Sequence, residues 1–290
     1  MSSPIVVGLD GSPESLAAAE WAAREAGLRS LPLVLLNARV EQPGDIPVNL
    51  DLDAQKRRAQ EILQKVSEDL TSRHPDLPVS VELIPDTATK GLLERAEDAE
   101  LLVLGSRGHG AVAGFLLGSV GMQIVARAKS PVVLVRPGER ADADPEDAEV
   151  VVAVEDRTAP APELMRFAFA AAAARGVGLR VVHAWKPLPI YAYNPEALRL
   201  EDEGRENEAQ VRKEFADGLA PWREQYPDVE LVETLDLASA SDVVLQHTGH
   251  AALVVVGRRT HRPALGMRIG PVTHGVIHHS AAPVAVVPHD

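Results

Sequence analysis

The chain repeats itself once. Gly105 and Gly257, Gly118 and Gly270, and Pro131 and Pro283 each lie 152 positions apart, so two long stretches share one register. Around these markers short apolar runs recur in the same order, at 5–9, 33–38, 79–84, 101–104 and 131–135, then at 150–154, 179–184, 229–235, 253–256 and 284–287. The first runs of the two copies are offset by about 145, so the second copy gains several residues ahead of its fourth run. This is one doubling of a domain, not a solenoid of many small units.

Short runs of Val, Ile and Leu without polar alternation read as strands covered on both faces. Segments of helical spacing separate them. One begins at Ser12-Pro13, where the serine accepts from orphan amides and the proline needs no partner, and it runs through Leu16, Ala19, Trp21, Ala22 and Ala26 to Gly27. Others span 54–73, 90–96 and 198–222. In the first of these Ala59, Ile62, Leu63, Val66 and Leu70 share one face. Strands alternating with helices build parallel sheets with right-handed crossovers, which take ligands at the carboxyl ends of their strands. The expected class is therefore α/β, with helices on both faces of a parallel sheet in each copy. Asp10 and Gly105 both fall at such strand ends and are expected to face one crevice.

At 290 residues, each copy is long enough for its own core. The boundaries read as a first domain at 1–137, a linker at 138–148 that is acidic and nearly free of large apolar residues, and a second domain at 149–290. The 29 basic and 42 acidic residues leave a net charge of -13, which opposes the attraction that polynucleotide binding depends on. No nucleic-acid partner is expected. A cysteine count of 0 removes disulfides, thiolate metal sites and cysteine nucleophiles together. The first residues lack the basic flank and apolar core of a signal peptide, and no stretch approaches the roughly 20 apolar residues of a membrane span. A cytoplasmic protein without a membrane partner is the expectation.

The stretch 102–121 carries the chemistry. An apolar strand ends at Leu104, glycines open a loop, and Gly118-Ser119 precede helical spacing at Val120, Ile124, Val125 and Ala128. Glycines let backbone amides approach an anion, and a helix N-terminus offers unpaired donors and a favourable dipole, so a phosphate site is implied. A Walker loop is excluded because no Gly-Lys-Ser or Gly-Lys-Thr follows. A dinucleotide fingerprint fails as well: Gly114 comes one residue too late after Gly108-x-Gly110, and no acidic residue lies between Ser119 and Val135 to hold a ribose. His274 and His278 have the i, i+4 spacing of a metal pair, but no third ligand is indicated, and no metal site is expected. Trp185, Tyr191 and Tyr193 cluster in a proline-rich loop that reads as a packed lid or subunit contact. Nucleophilic catalysis lacks a Gly-x-Ser-x-Gly or a base beside Ser119, so no catalytic residue is assigned.

At Gly105-x2-Gly108-x9-Gly118-Ser119 the chain resembles the universal stress protein family, whose nucleotide-binding members carry Gly-x2-Gly-x9-Gly followed by Ser or Thr. Val6-Val7-Gly8-Leu9-Asp10-Gly11-Ser12 and Ser130-Pro131-Val132-Val133-Leu134-Val135 extend the likeness, which covers nearly the whole chain in two copies. The resemblance implies two tandem five-stranded parallel sheets in the strand order 3-2-1-4-5, an adenine-nucleotide-binding, Rossmann-like arrangement. It implies ATP with Mg²⁺ at the strand ends, and self-association through the fifth strands as an intrachain pseudo-dimer or a homodimer. Carried onto this chain, it puts Asp10 at the base or ribose, the backbone of Ala38 at adenine, and amides from Gly105, Arg107, Gly108, Gly118, Ser119 and Val120 at the ribose and phosphates. Gly8, Leu9, Leu104 and Gly121 complete the implied binding set. Arg107 reads either as a phosphate-neutralising cation or as a solvated surface residue. The implied role is an ATP-binding sensor or regulator in the stress response; a slow ATPase or nucleotidyl-transferring enzyme and a ligand-independent scaffold are the other readings.

The second copy departs from the pattern. It reads Gly257-x2-Thr260-x9-Gly270-Pro271, with Glu155 in place of Asp10, and Pro271 has no N–H to donate. One competent site, in the first copy, is expected.

Overall fold

The computed structural model describes residues 3–38, 52–106, 118–138, 148–184, 197–236, 238–260 and 269–290. The first copy runs β1 (Ile5–Gly8), α1 (Pro13–Arg29), β2 (Leu33–Ala38), α2 (Leu52–Arg73), β3 (Val79–Ile84), α3 (Ala88–Ala96), β4 (Leu101–Gly105), α4 (Ser119–Arg127) and β5 (Val132–Val135). The second runs β6 (Glu149–Ala153), α5 (Pro162–Arg175), β7 (Leu179–Ala184), α6 (Ala197–Gln225), β8 (Leu231–Asp236), α7 (Ala240–His247), β9 (Ala251–Arg259), α8 (Pro271–His279) and β10 (Val284–His289). The extra residues of the second copy lie in α6, which has 29 residues where α2 has 22.

All ten strands form one sheet in the order β3-β2-β1-β4-β5-β10-β9-β6-β7-β8. Each half follows the order 3-2-1-4-5, but the expectation of two separate sheets is corrected. Strand β10 pairs antiparallel with β5, Ala285 opposite Val133, so the two parallel halves fuse across their fifth strands. A parallel half with an open edge presents unpaired N–H and C=O groups, and each fifth strand satisfies those of the other. The two registers match: Ile5 pairs with Leu33 and Leu101, and Val150 pairs with Leu179 and Leu253.

Alternation along each strand sends side chains to opposite faces. Ile5 and Val7 join the core beneath α1, α2, α5 and α6, while Val6 joins the core beneath α3, α4, α7 and α8. Cover on both faces explains why the central strands β1, β4 and β5 are apolar without interruption, whereas the edge strands β3 and β8 carry Ser80, Glu82, Glu233 and Thr234. Helix α1 lies close on the sheet because its inward positions are Ala18, Ala19, Ala22, Ala23 and Ala26, all buried. It does not stop at Gly27 as expected. The helix continues to Arg29 and ends at Ser30, whose left-handed backbone (φ 53) lets its amide reach the carbonyls of Ala26 and Gly27.

Charge pairs cross between the halves. Glu25, 1% exposed, accepts from Arg29 Nε at 2.6 Å and from Arg175 of α5. Arg136 donates to the carbonyls of Ile277 and Ser280 at the end of α8, and Arg258 donates to those of Ala126 and Ala128 at the end of α4. Each half thus supplies a cation to the negative end of a helix in the other.

Candidate functional site

The strand order reverses between β1 and β4, and a cleft of about 390 Å³ opens at the carboxyl ends of these strands. Ten sequence-derived residues line it: Gly8, Leu9, Asp10, Ala38, Leu104, Gly105, Gly118, Ser119, Val120 and Gly121. Arg107 and Gly108 lie outside the described residues, as do Trp185, Tyr191 and Tyr193.

Asp10 is fixed by the turn that starts α1. Its Oδ1 accepts from Ser12 N at 2.9 Å and Ser12 Oγ at 2.6 Å, while Ser15 Oγ accepts from the amides of Asp10 and Gly11. Partial burial raises the cost of ionising this carboxyl. The hydrogen bonds from Ser12 and Ser15 overcome that cost and hold Asp10 below the usual carboxylate range. It stands in the cleft as an oriented anion.

Across from it, Gly118 caps α4 with extended backbone (φ -57, ψ 157), and the first helical bond runs from Met122 N to Gly118 O. The amides of Ser119, Val120 and Gly121 precede that bond and are the orphan donors of the helix. A Cβ added at Gly118 would meet nothing within 4 Å, so packing does not demand glycine there. Gly105 differs. A Cβ there would lie 2.4 Å from the backbone carbon of Glu14, so this glycine exists to seat the N-terminus of α1 against β4. Packing is thus a sufficient reason for glycine at 105, a residue that also lines the cleft.

Several lining residues were not read from the sequence: Ser12, Glu14, Ser15, Leu36, Asn37, Ala88 and Leu92. Most belong to the first turns of α1 and α3 or the end of β2, and the start signals at Ser12 and Thr87, beside strand ends, mark those positions. Asn37 is the most informative. Its Nδ2 donates to Leu9 O at 2.6 Å, which fixes the amide and leaves Oδ1 buried without a hydrogen-bond partner. An acceptor at the floor of a cleft suits a ligand N–H.

The second half holds a corresponding cleft of about 670 Å³. There the segment after Gly257 continues as strand to Arg259, Thr260 N donates to His289 O at 2.7 Å, and Thr260 Oγ1 pairs with Asp290. Pro271 opens α8, and Thr273 Oγ1 donates to Gly257 O at 2.8 Å. Glu155 pairs with Arg259 at 2.9 Å. By register these are the positions of Asp10 and Arg107. His274 and His278 touch, with ring centroids 4.3 Å apart, and no group of three or more possible metal ligands occurs among the described residues.

Comparisons with known proteins agree over the whole length. The family model described as the universal stress protein family matches residues 1–136 and again 148–288. A universal stress protein of Mycobacterium tuberculosis is 34% identical over 290 residues, covering 97% of this chain and 96% of its own. One from Mycolicibacterium smegmatis is 33% identical over 292 residues, covering 98% and 96%. A solved universal stress protein structure from Archaeoglobus fulgidus shares the fold, with a TM-score of 0.70 at 17% identity over 99% of this chain and 98% of that one.

Proposed function

Because the chain belongs to the universal stress protein family, we propose that it is an ATP-binding sensor or regulator in the stress response, with its nucleotide in the first cleft. The observation that carries this reading is Gly118. It stands at the start of α4 with open space where a side chain would be, beside amides that no helical bond uses. Those amides and the helix dipole suit the phosphates. The apolar floor of Leu9, Leu36 and Leu92 suits a base, and Asn37 Oδ1 suits its amino group. Asp10, held ionised, accepts from ribose hydroxyls. Arg107 and Gly108 belong to the proposal through the family pattern. Mg²⁺ enters with the triphosphate, whose oxygens are its ordinary ligands. Domains at 1–137 and 149–290 with a linker at 138–148, and a cytoplasmic location, belong to the same proposal; no helix among the described residues is long and apolar enough to cross a membrane.

Gly118→Ala tests it. The backbone angles suit alanine, so folding stability should fall by no more than about 1 kcal/mol, the loss of a poor cap. ATP affinity should drop at least about tenfold, because the methyl group stands where the phosphate must approach; a tenfold loss is about 1.4 kcal/mol. Unchanged affinity in the folded variant contradicts the site.

A further inference from the structure

The second cleft is built from the same places in the fold as the first, yet its chemistry differs in a consistent direction. Register alignment pairs Leu9 with Val154, Leu36 with Val182, and Leu92 with Val244, so three leucines that floor the first cleft are valines in the second. A fourth exchange, Leu104 to Val256, is offset by Gly8 becoming Ala153. Each of the three uncompensated truncations removes one methylene, which makes up a minor part of the difference between about 670 Å³ and about 390 Å³. Ser15, whose hydroxyl accepts amides in the first cleft, aligns with Ala161 when the left-handed helix ends at Ser30 and Gly176 are matched, so the second wall lacks that hydroxyl.

The anion-binding features change as well. Pro271 removes one donor from the start of α8, and the Thr273 hydroxyl is engaged by Gly257 O. Arg259 is held by Glu155. Two further carboxylates line the mouth: Asp156, whose Oδ1 takes Thr158 N at 2.8 Å and Ala159 N at 3.1 Å, and Asp290. Polyphosphate would meet this rim at an electrostatic cost, whereas a positive charge would be drawn to it.

We propose that the second cleft is a separate binding site for a planar apolar ring compound that carries a positive charge and no phosphate. The ring lies on the valine floor, and the charge faces Asp156 and Asp290. The two halves of the chain then read two different ligands, and the proposal stands whether or not the first cleft takes ATP.

The probe is thioflavin T, a cationic ring dye whose fluorescence rises when it is immobilised, titrated into the full-length protein with and without saturating ATP. The expected result is saturable binding of one dye per chain that ATP does not displace, with 1-anilinonaphthalene-8-sulfonate, an anionic ring dye, at least tenfold weaker. The triple variant V154L/V182L/V244L, which gives the second cleft the first cleft's own leucines, should weaken thioflavin T at least tenfold. E155Q/D156N, at exposed positions, should weaken it severalfold without refilling the floor, which keeps the test decisive if the triple variant fails to fold. Absence of saturable binding, displacement by ATP, or affinity unchanged in the folded variants overturns the proposal.

Discussion

Asn37 and His183 occupy one position of the two copies, and each ties its side chain to the end of the neighbouring first strand. Asn37 donates to Leu9 O, and His183 Nδ1 donates to Val154 O at 3.1 Å. Burial favours the neutral imidazole, Arg157 adds to that effect, and the Val154 carbonyl and Asp156 oppose it, leaving the group below its ordinary value of 6.5. The unfolded chain therefore binds a proton that the folded chain resists. His183 contributes its full stability above pH 6.5, and the contribution is lost as pH falls from there through the depressed value. His183→Asn should flatten the acid-side decline of the melting temperature relative to wild type; identical slopes for the two proteins would contradict the account. Gly8 and Leu104 make a second residue-scale test. A Cβ at Gly8 would lie 2.8 Å from Leu104 Cδ2, and the second half holds Ala153 with Val256 at these places. Gly8→Ala alone should cost about 1 to 3 kcal/mol by overpacking. Adding Leu104→Val should recover part of it, giving a favourable coupling of about 1 kcal/mol in a denaturation cycle.

Strand β4 and helix α4 show how one sequence motif serves two physical ends. Gly105 closes a contact between β4 and the first turn of α1, and Gly118 leaves space at the head of α4. Gly105→Ala should lower stability by at least about 2 kcal/mol, since the obstructing atoms are backbone and cannot rotate away. Gly118→Ala should spare stability and lose ligand. A thermal melt separates the two, and equal stability losses would contradict the division. The inner strands were legible because a strand covered on both faces must be apolar without a break, and their order within each half came from the family resemblance. The start of α1 was legible from Ser12 and Pro13, whose capping chemistry is local. Its end was not, because Ser30 enters the left-handed region without being glycine. Nor did the spacing of Gly105 and Gly118 separate their roles: both read as glycine beside a loop, and only the approach of Glu14 from another element distinguishes them. Asn37 was hidden in an apolar run, where nothing local says that its side chain turns toward Leu9.

Over the whole molecule, the pairing of β5 with β10 converts two halves into one sheet and consumes both fifth-strand edges, so the outer edges are β3 and β8. A partner copy has no fifth-strand edge to join while that pairing holds. Which edges meet depends on contacts far apart in the chain, so the repeat alone implied two sheets, while the meeting of the fifth strands within one chain followed from the family resemblance. The Glu25 cluster between α1 and α5 and the reciprocal caps from Arg136 and Arg258 tie the halves further. Within this shared frame the two clefts are unequal: the first keeps Asp10, Gly118 and free amides, and the second has Pro271, an engaged Arg259 and Thr260 drawn to Asp290. Calorimetric titration of the full-length protein with Mg²⁺ and ATP tests that inequality most directly. The account predicts one ATP per chain, with the heat abolished by Gly118→Ala and unaffected by Gly270→Ala; two equal sites per chain would contradict it.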